Sequence, residues 1–504
     1  MKRSLPFALT VLVLALALVP LGQAGPDLAQ TPQVSFLQTT TNDWQSGTLN
    51  QVDVRNLDAL HTPYDLGTDP RGSVRLASSP DTWTRQSVQE PAVPRGGSGE
   101  WDEKHTAEAA VLYDGSSYMM WYSGQDATDQ WQIGLATSTD GLTWTKHAAN
   151  PVLTVGLPGA WDNTEVSFAT LLYDGQTYST WYSGYDGTYR QIGYAWSNDG
   201  LVWTRHPTPV LSYGADDAWD NNLVGNASVL FDGTQYHMWY GGWQSPVGHW
   251  RIGHATSPDG LAWTKDPANP VFDLGPADSW DDDHVKSPSV LYDGQTFQLW
   301  YGGWDDVDYG ADSNGRIGWA TSGDGTNWTR GPANPVFDPA GGVWDPQWAA
   351  DPEVILDGDL YHLWYTGGVT WTGLQIGYAT ALPHYADLGT YTSPLIPTGC
   401  GQNEIVRWNA LLVDQVLNSQ SIVYAVLDEA GQPIAGFDAL QSPAARAVFD
   451  LSALSFTLQR VYVQATLATD NPARSPVVED WELLWTCQAL PYRLFLPLAL
   501  RQSP

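Results

Sequence analysis

Cysteine and positive charge are both scarce in this chain. Only Cys400 and Cys487 are present, and 22 Lys and Arg stand against 55 Asp and Glu, for a net charge of −33. No stripe of Lys and Arg survives this imbalance, which excludes nucleic acid and anionic membrane surfaces as partners, because both demand clustered cations. The two cysteines have no histidine at zinc-ligand spacing, which argues against a metal site and leaves a single disulfide in an oxidising compartment as the expectation. Long apolar runs are missing as well. The one stretch of note, Leu9 to Val19, is shorter than the ~20 residues a spanning helix needs. It follows Lys2 and Arg3 and precedes Gly22-Gln23-Ala24, which together predict a cleaved signal peptide over residues 1–24, a secreted protein and no membrane attachment after cleavage. Extended helical periodicity is absent too.

Aromatic residues and glycine are abundant, with 27 Trp, 24 Tyr and 49 Gly, a profile of strands and tight turns. They recur in register. Trp-Tyr pairs occur at Trp121, Trp181, Trp239, Trp300 and Trp364, spaced by 58 to 64 residues. Each is preceded by an Asp-Gly turn (Asp114, Asp174, Asp232, Asp293, Asp357) and, further upstream, by a Trp-Asp pair (Trp101, Trp161, Trp219, Trp280, Trp344). Each is followed by an Ile-Gly strand (Ile133, Ile192, Ile252, Ile317, Ile376). Strand, Asp-Gly turn, strand, loop, strand, turn and strand predict four antiparallel strands per unit, repeated five times, the pattern of β-propeller blades.

The fifth unit lacks its last strand, and the matching segment lies at the other end of the chain: Asp81-Thr82-Trp83-Thr84-Arg85 parallels Asp259 to Lys265. This predicts an all-β protein with a five-bladed β-propeller over 81–384, closed by an N-terminal strand, which removes two open sheet edges. Residues 385–490 read as a β-sandwich of jelly-roll type. Residues 25–80 form a further β segment suited to supplying strands to that sandwich, and 491–504 are an apolar tail.

The hairpin Ser138-Thr139-Asp140-Gly141-Leu142-Thr143-Trp144 and its counterparts at Asp199, Asp259 and Asp324 look like shortened Asp-boxes. With the Tyr-Asp-Gly and Trp-Tyr-Gly-Gly strands, they give residues 83–380 a resemblance to the five-bladed propeller glycoside hydrolases, the arabinanases, β-xylosidases and invertases of glycosyl hydrolase family 43 and 32 type. The resemblance implies an axial pocket with an acidic triad that cleaves glycosidic bonds, one carboxylic acid protonating the leaving oxygen and one carboxylate acting as base or nucleophile.

Comparing the five units separates architecture from chemistry. The Trp-Asp aspartates (Asp102, Asp162, Asp220, Asp281, Asp345) recur in all five and read as turn or cap acceptors. Six positions before each Asp-Gly turn the residue changes from unit to unit: Glu108, Phe168, Asn226, Ser287, Asp351. Nine positions before it stand His105, Glu165, Leu223, His284 and Trp348. Asp351, within an Asp-Pro pair similar to that of the base in the resembled families, is the expected base. Glu108 or Glu165 is the expected acid. No Glu-Gly-Pro segment supplies the families' usual acid. Glu353 shares a strand face with Asp351, and Lys286 is a lone cation at the mouth. Trp243, Trp304 and Trp348 are candidate sugar-stacking rings, and His105 and His284 candidate rim contacts, for an oligosaccharide or polysaccharide. No cofactor is required. Asp305, Asp306, Asp308 and Asp312 offer oxygen ligands for Ca²⁺ without a recognisable loop motif. The competing expectation is a non-catalytic carbohydrate-binding or adhesion propeller.

Overall fold

The computed structural model describes residues 33–38, 48–50, 52–56, 72–76, 78–80 and 82–489, the last with interruptions at 247, 293–295, 306–313, 340–342, 358–359, 370–371, 386–387, 401–403, 456–457 and 471–474. The expected signal peptide, the apolar tail and most of the Asp-rich loop after Asp305 lie outside these residues. The protein is all-β, with no helix among the described residues.

Five antiparallel units carry the repeat. The first comprises His105–Tyr113, Tyr118–Gln125, Trp131–Ser138 and Thr145–Lys146. The second, third and fourth begin at Glu165–Tyr173, Leu223–Phe231 and His284–Tyr292 and follow the same order. The fifth contains Trp348–Asp357, Leu360–Val369 and Thr372–Ala381, and its fourth strand is Thr84–Arg85, paired through Ala379↔Arg85 and Thr380↔Thr84. In the turns, Asp140 Oδ1 accepts from the Leu142 and Thr143 amides while Gly141 sits at φ 71°, a conformation that a side chain would strain.

The recurring aromatic residues join one unit to the next. Trp121 Nε1 donates to Gly200 O in the second unit, Trp181 to Gly260 O in the third, and Trp239 to Gly325 O in the fourth. Trp364 of the fifth unit donates to Gly141 O of the first. The first strands also lie side by side in sequence, and that of the fifth unit lies against that of the first.

The five Trp-Asp aspartates are more than turn acceptors. Each is buried, accepts from the hydroxyl of its own unit's Trp-Tyr tyrosine, and pairs with a cation on the fourth strand. Asp102 binds Tyr122 and Lys146, Asp162 binds Tyr182 and Arg205, and Asp220 binds Tyr240 and Lys265. Asp281 binds Tyr301 and Arg330, and Asp345 binds Tyr365 and Arg85. Five of the 22 basic residues are therefore committed to neutralising buried aspartate, where an unpaired charge would be costly.

Most of the remaining strands form two further sheets around a separate core that includes Trp408, Tyr424, Trp481 and Trp485. In Arg460–Ala468 alternate residues are buried, the two-residue period of a sheet with one covered face. N-terminal strands pair into both sheets: Gln33–Gln38 with Val477–Ala489, and Thr48–Asn50 with Leu388–Thr392. Cys400 and Cys487 are disulfide-bonded beside this core. Ser78–Pro80 pairs with Pro383–Tyr385 where the chain enters and leaves the five-unit body.

Candidate active site

In every unit the first strand carries a bulge at the same place. The ladder skips between Ala107 and Ala110, Ser167 and Thr170, Gly225 and Ser228, Lys286 and Ser289, and Ala350 and Glu353. The first bulged residue is Glu108, Phe168, Asn226, Ser287 or Asp351, at φ 56°, 46°, 53°, 51° and 48° respectively. These are the five positions at which the repeat varies. A left-handed conformation at a non-glycine residue costs about 1–2 kcal/mol, and the neighbouring unit helps to hold it. The Glu108 amide donates to Thr366 Oγ1 (3.0 Å), that of Phe168 to Ser123 Oγ (3.1 Å) and that of Asn226 to Ser183 Oγ (3.0 Å). Pro288 and Pro352 occupy bulge positions, where no ladder donor is needed.

The five bulged side chains line a narrow neck of about 30 Å³. Above it opens a cavity of about 660 Å³ whose wall includes Glu108, Glu165, His105, Lys286, Trp131 and Trp250. Below it a chamber of about 70 Å³ is lined by the following residues of the same strands, Glu353 among them.

Asp351 and Glu108 meet at the neck. Asp351 Oδ1 accepts from Ser287 Oγ at 2.6 Å and lies 3.4 Å from Lys286 Nζ, while Asn226 Nδ2 donates to Ser287 Oγ at 2.9 Å. This relay orients one oxygen of Asp351, and Oδ2 makes no hydrogen bond among the described residues. Glu108 Oε2 accepts from the Phe168 amide at 3.2 Å. Burial, and then the negative charge of Asp351, push the Glu108 carboxyl well above the usual range. Its shift favours the protonated form of a group that faces the cavity beside Asp351. Glu165 stands at the cavity wall with both oxygens 2.8 Å from one terminal nitrogen of Arg190, and Ser167 Oγ donates to it at 2.6 Å. Asp351, Glu108 and Glu165 thus surround one space, and the ion pair with Arg190 sets Glu165 apart from the other two.

Other expected site residues fall differently. Trp304 and Trp348 have no exposed surface and pack on each other with centroids 5.1 Å apart, which corrects the expectation that their faces stack on sugar. Trp348 lies against Gly315, where a Cβ would come within 2.6 Å of its ring. His284 is likewise fully buried, accepting from the Trp250 amide at 3.2 Å, so it is no rim contact. Trp243 is partly buried and stacks on His284 at 5.8 Å rather than lining the cavity. His105 does line it, accepting from the Leu374 amide through Nδ1 (3.0 Å) and stacking on Trp131; burial and the nearby Arg95 and Lys104 lower its pKa to about 4. Glu353 is held by the Val111 amide (3.1 Å) and by Ser289 Oγ (3.5 Å), and burial raises it to about 8. Thr170, Ser228 and Ser289 make the same kind of inter-unit bond, so Glu353 joins units rather than facing the upper cavity.

Arg190, Arg251 and Arg316 all stand just ahead of an Ile-Gly strand. Arg251 and Arg316 immediately precede their isoleucines and bind Asp273 and Asp338, whereas Arg190 stands two before Ile192. In a strand that offset reverses the face. The position two before isoleucine supplies the cavity wall: Trp131, Arg190, Trp250 and Leu374. Alignment of the repeats on isoleucine would have found it.

No family model matches the chain. It is 28% identical to an uncharacterised protein of Mycobacterium tuberculosis over 241 residues, 45% of this chain and 74% of the relative. Its structural neighbours are glycoside hydrolases. A glycosyl hydrolase from Bacteroides ovatus has TM-score 0.49 at 17% identity, covering 60% of this chain and 97% of that one. A structure from the GH130 family of mannoside phosphorylases, which contains glycoside hydrolases that target β-1,2 mannosidic linkages in Candida mannan, has TM-score 0.48 at 17% identity, covering 60% and 94%.

Proposed function

We propose that the chain is a secreted glycosidase acting on an oligosaccharide or polysaccharide, and that its five units are the blades of a propeller whose axis runs through the cavity and the neck. The observation that carries the reading is the pairing at the neck of Glu108, whose carboxyl is pushed well above the usual range by burial and Asp351, with Asp351, held by Ser287 and Lys286. Glycosidic cleavage needs this combination of a carboxylic acid and a carboxylate at one site. Glu108 delivers its proton to the leaving oxygen as the bond to the anomeric carbon breaks. Asp351 meets the developing positive charge and either takes a proton from the attacking water or bonds to the carbon. Trp131, Trp250 and Phe168 offer aromatic faces suited to the apolar side of a sugar ring. The resemblance to the family 43 and 32 type propellers, which implies an axial pocket with acidic residues, supports the same reading. Secretion is supported by Lys2, Arg3 and the Leu9 to Val19 run, and a sandwich by the two sheets that share one core.

The test is product release from a panel of polysaccharides and aryl glycosides by the mature protein, with Glu108→Gln and Asp351→Asn in parallel. Both variants should lose about 10²–10⁴-fold in turnover while keeping the parental fold by circular dichroism. Parental turnover in either variant would remove that residue from the chemistry. Glycan binding without turnover would favour the binding-propeller alternative.

A further inference from the structure

In a chain with 22 basic residues among 504, four of the fourteen residues lining the large cavity are Lys or Arg: Arg95, Lys104, Arg190 and Lys286. Three of them face an acid. Lys104 pairs with Asp129, Arg190 with Glu165 and Lys286 with Asp351. Arg95 is different. Each of the other ten basic residues between positions 82 and 381 is ion-paired with Asp or Glu, whereas Arg95 has no carboxylate partner among the described residues. A protein carrying 55 acids has ample means to pair an arginine, yet this one stands exposed at the cavity mouth.

Arg95 is also placed. Its Nη1 lies 3.5 Å from Lys104 O, and its backbone amide donates to Gln375 Oε1 at 3.2 Å. Its guanidinium lies over Gly373, where a Cβ would come within 3.2 Å of it. His105 sits beside it with Nδ1 accepting the Leu374 amide, so the proton of the neutral ring is on Nε2, a donor on the same wall. A positive, fork-shaped group next to a neutral donor, set in a mouth where the surrounding protein is negative, suits a planar anion brought in on the ligand.

We propose that the cavity selects a sugar bearing an anionic substituent, a carboxylate or a sulfate ester, and that Arg95, supported by Lys104, is the specificity-determining contact. The proposal rests on reading the cavity as a glycan site, and its test separates the two. Binding of the full mature protein is measured by calorimetry against oligogalacturonate, the same oligosaccharide as its methyl ester, a sulfated galactan oligosaccharide, a neutral galacto-oligosaccharide and inorganic phosphate. Wild type is compared with Arg95→Gln, Arg95→Lys and a distant control, Arg407→Gln, and each saccharide is also assayed for product release. A charged saccharide should bind about tenfold or more tightly than its neutral counterpart, lose that advantage in Arg95→Gln, recover part of it in Arg95→Lys, and weaken with salt. Preference for oligogalacturonate or for the sulfated saccharide identifies the substituent. Equal binding of charged and neutral sugars, no binding of either, or an Arg95→Gln variant that binds as wild type does, overturns the proposal; phosphate bound alone does so too. Cleavage of neutral sugars unaffected by Arg95→Gln leaves the glycosidase reading standing without this one. Arg95-dependent binding of an acidic sugar with no turnover does the reverse.

Discussion

Replacing Glu353 by glutamine should stabilise the protein, and only above the ordinary carboxylate range. Glu353 lies between the neck and the lower chamber, accepting from the Val111 amide across the boundary between the fifth and first units. Burial raises its carboxyl from 4.5 to about 8, so the fold favours the protonated form. Below pH 4.5 folded and unfolded chains both carry the proton and nothing is lost. As pH rises from there to about 8, the unfolded chain releases the proton freely while the folded chain retains it, and stability falls. At about 1.4 kcal/mol per pH unit the interval sets a ceiling of about 5 kcal/mol. Partial exposure of the Glu353 side chain brings this to about 2–4 kcal/mol. Glutamine keeps the acceptor for Val111 and removes the charge. Thermal unfolding of wild type and Glu353→Gln from pH 4 to 9 should show equal melting at the acid end and a gap that widens to about 5–10 °C in favour of the variant by pH 9. Glu108 also titrates high but is common to both proteins, so the difference curve isolates Glu353. A gap that does not change with pH, or a wild type that is the more stable at pH 9, refutes the reasoning.

Arg85→Ala should cost about 3–5 kcal/mol in denaturant unfolding, because it leaves Asp345 buried without its cation, whereas Arg85→Lys should cost about 1 kcal/mol or less, since Lys146 and Lys265 fill the same place in the first and third units. Equal losses in the two would show that the charge is not what matters. If Glu108 is the proton donor, turnover should decline as pH rises through its elevated pKa, and infrared titration of Asp351→Asn should find the Glu108 carboxyl shifted downward, because that variant removes a negative neighbour. An unchanged titration would mean the two do not sense each other. Serine at Cys400 and Cys487 should destabilise the sheet pair around Trp408 and Trp485 by about 2–5 kcal/mol without altering any activity of the five-unit body, read by calorimetry as movement of one transition.

Much of the architecture was legible because it is written five times. Trp-Tyr, Asp-Gly and Trp-Asp recur since each unit needs the same ring against the next turn and the same tyrosine on the same aspartate, and Thr84–Arg85 was recognisable as the missing strand by comparison with its counterparts. The candidate acids were legible for the opposite reason. Glu108 and Asp351 occupy the one place where the repeat is free to vary, and the structure shows that place to be a left-handed bulge in every unit.

What the chain order could not disclose is direction and proximity between units. Arg190 and Arg251 look alike in sequence, but one residue of offset turns the first into the cavity and the second toward Asp273. Trp304, Trp348 and His284 sit among chemistry-bearing neighbours and read as contacts, yet the absence of a side chain at Gly315 lets Trp348 close into the wall. Glu353 has its carboxylate's company decided by Val111, 242 residues away. By itself, then, the sequence determined which strands form and which positions differ between units, because turn chemistry and alternation act over a few residues. Which of those positions share a cavity, and which acid is pushed toward its protonated form there, was decided only when burial and the charges of distant strands were brought together by the tertiary structure.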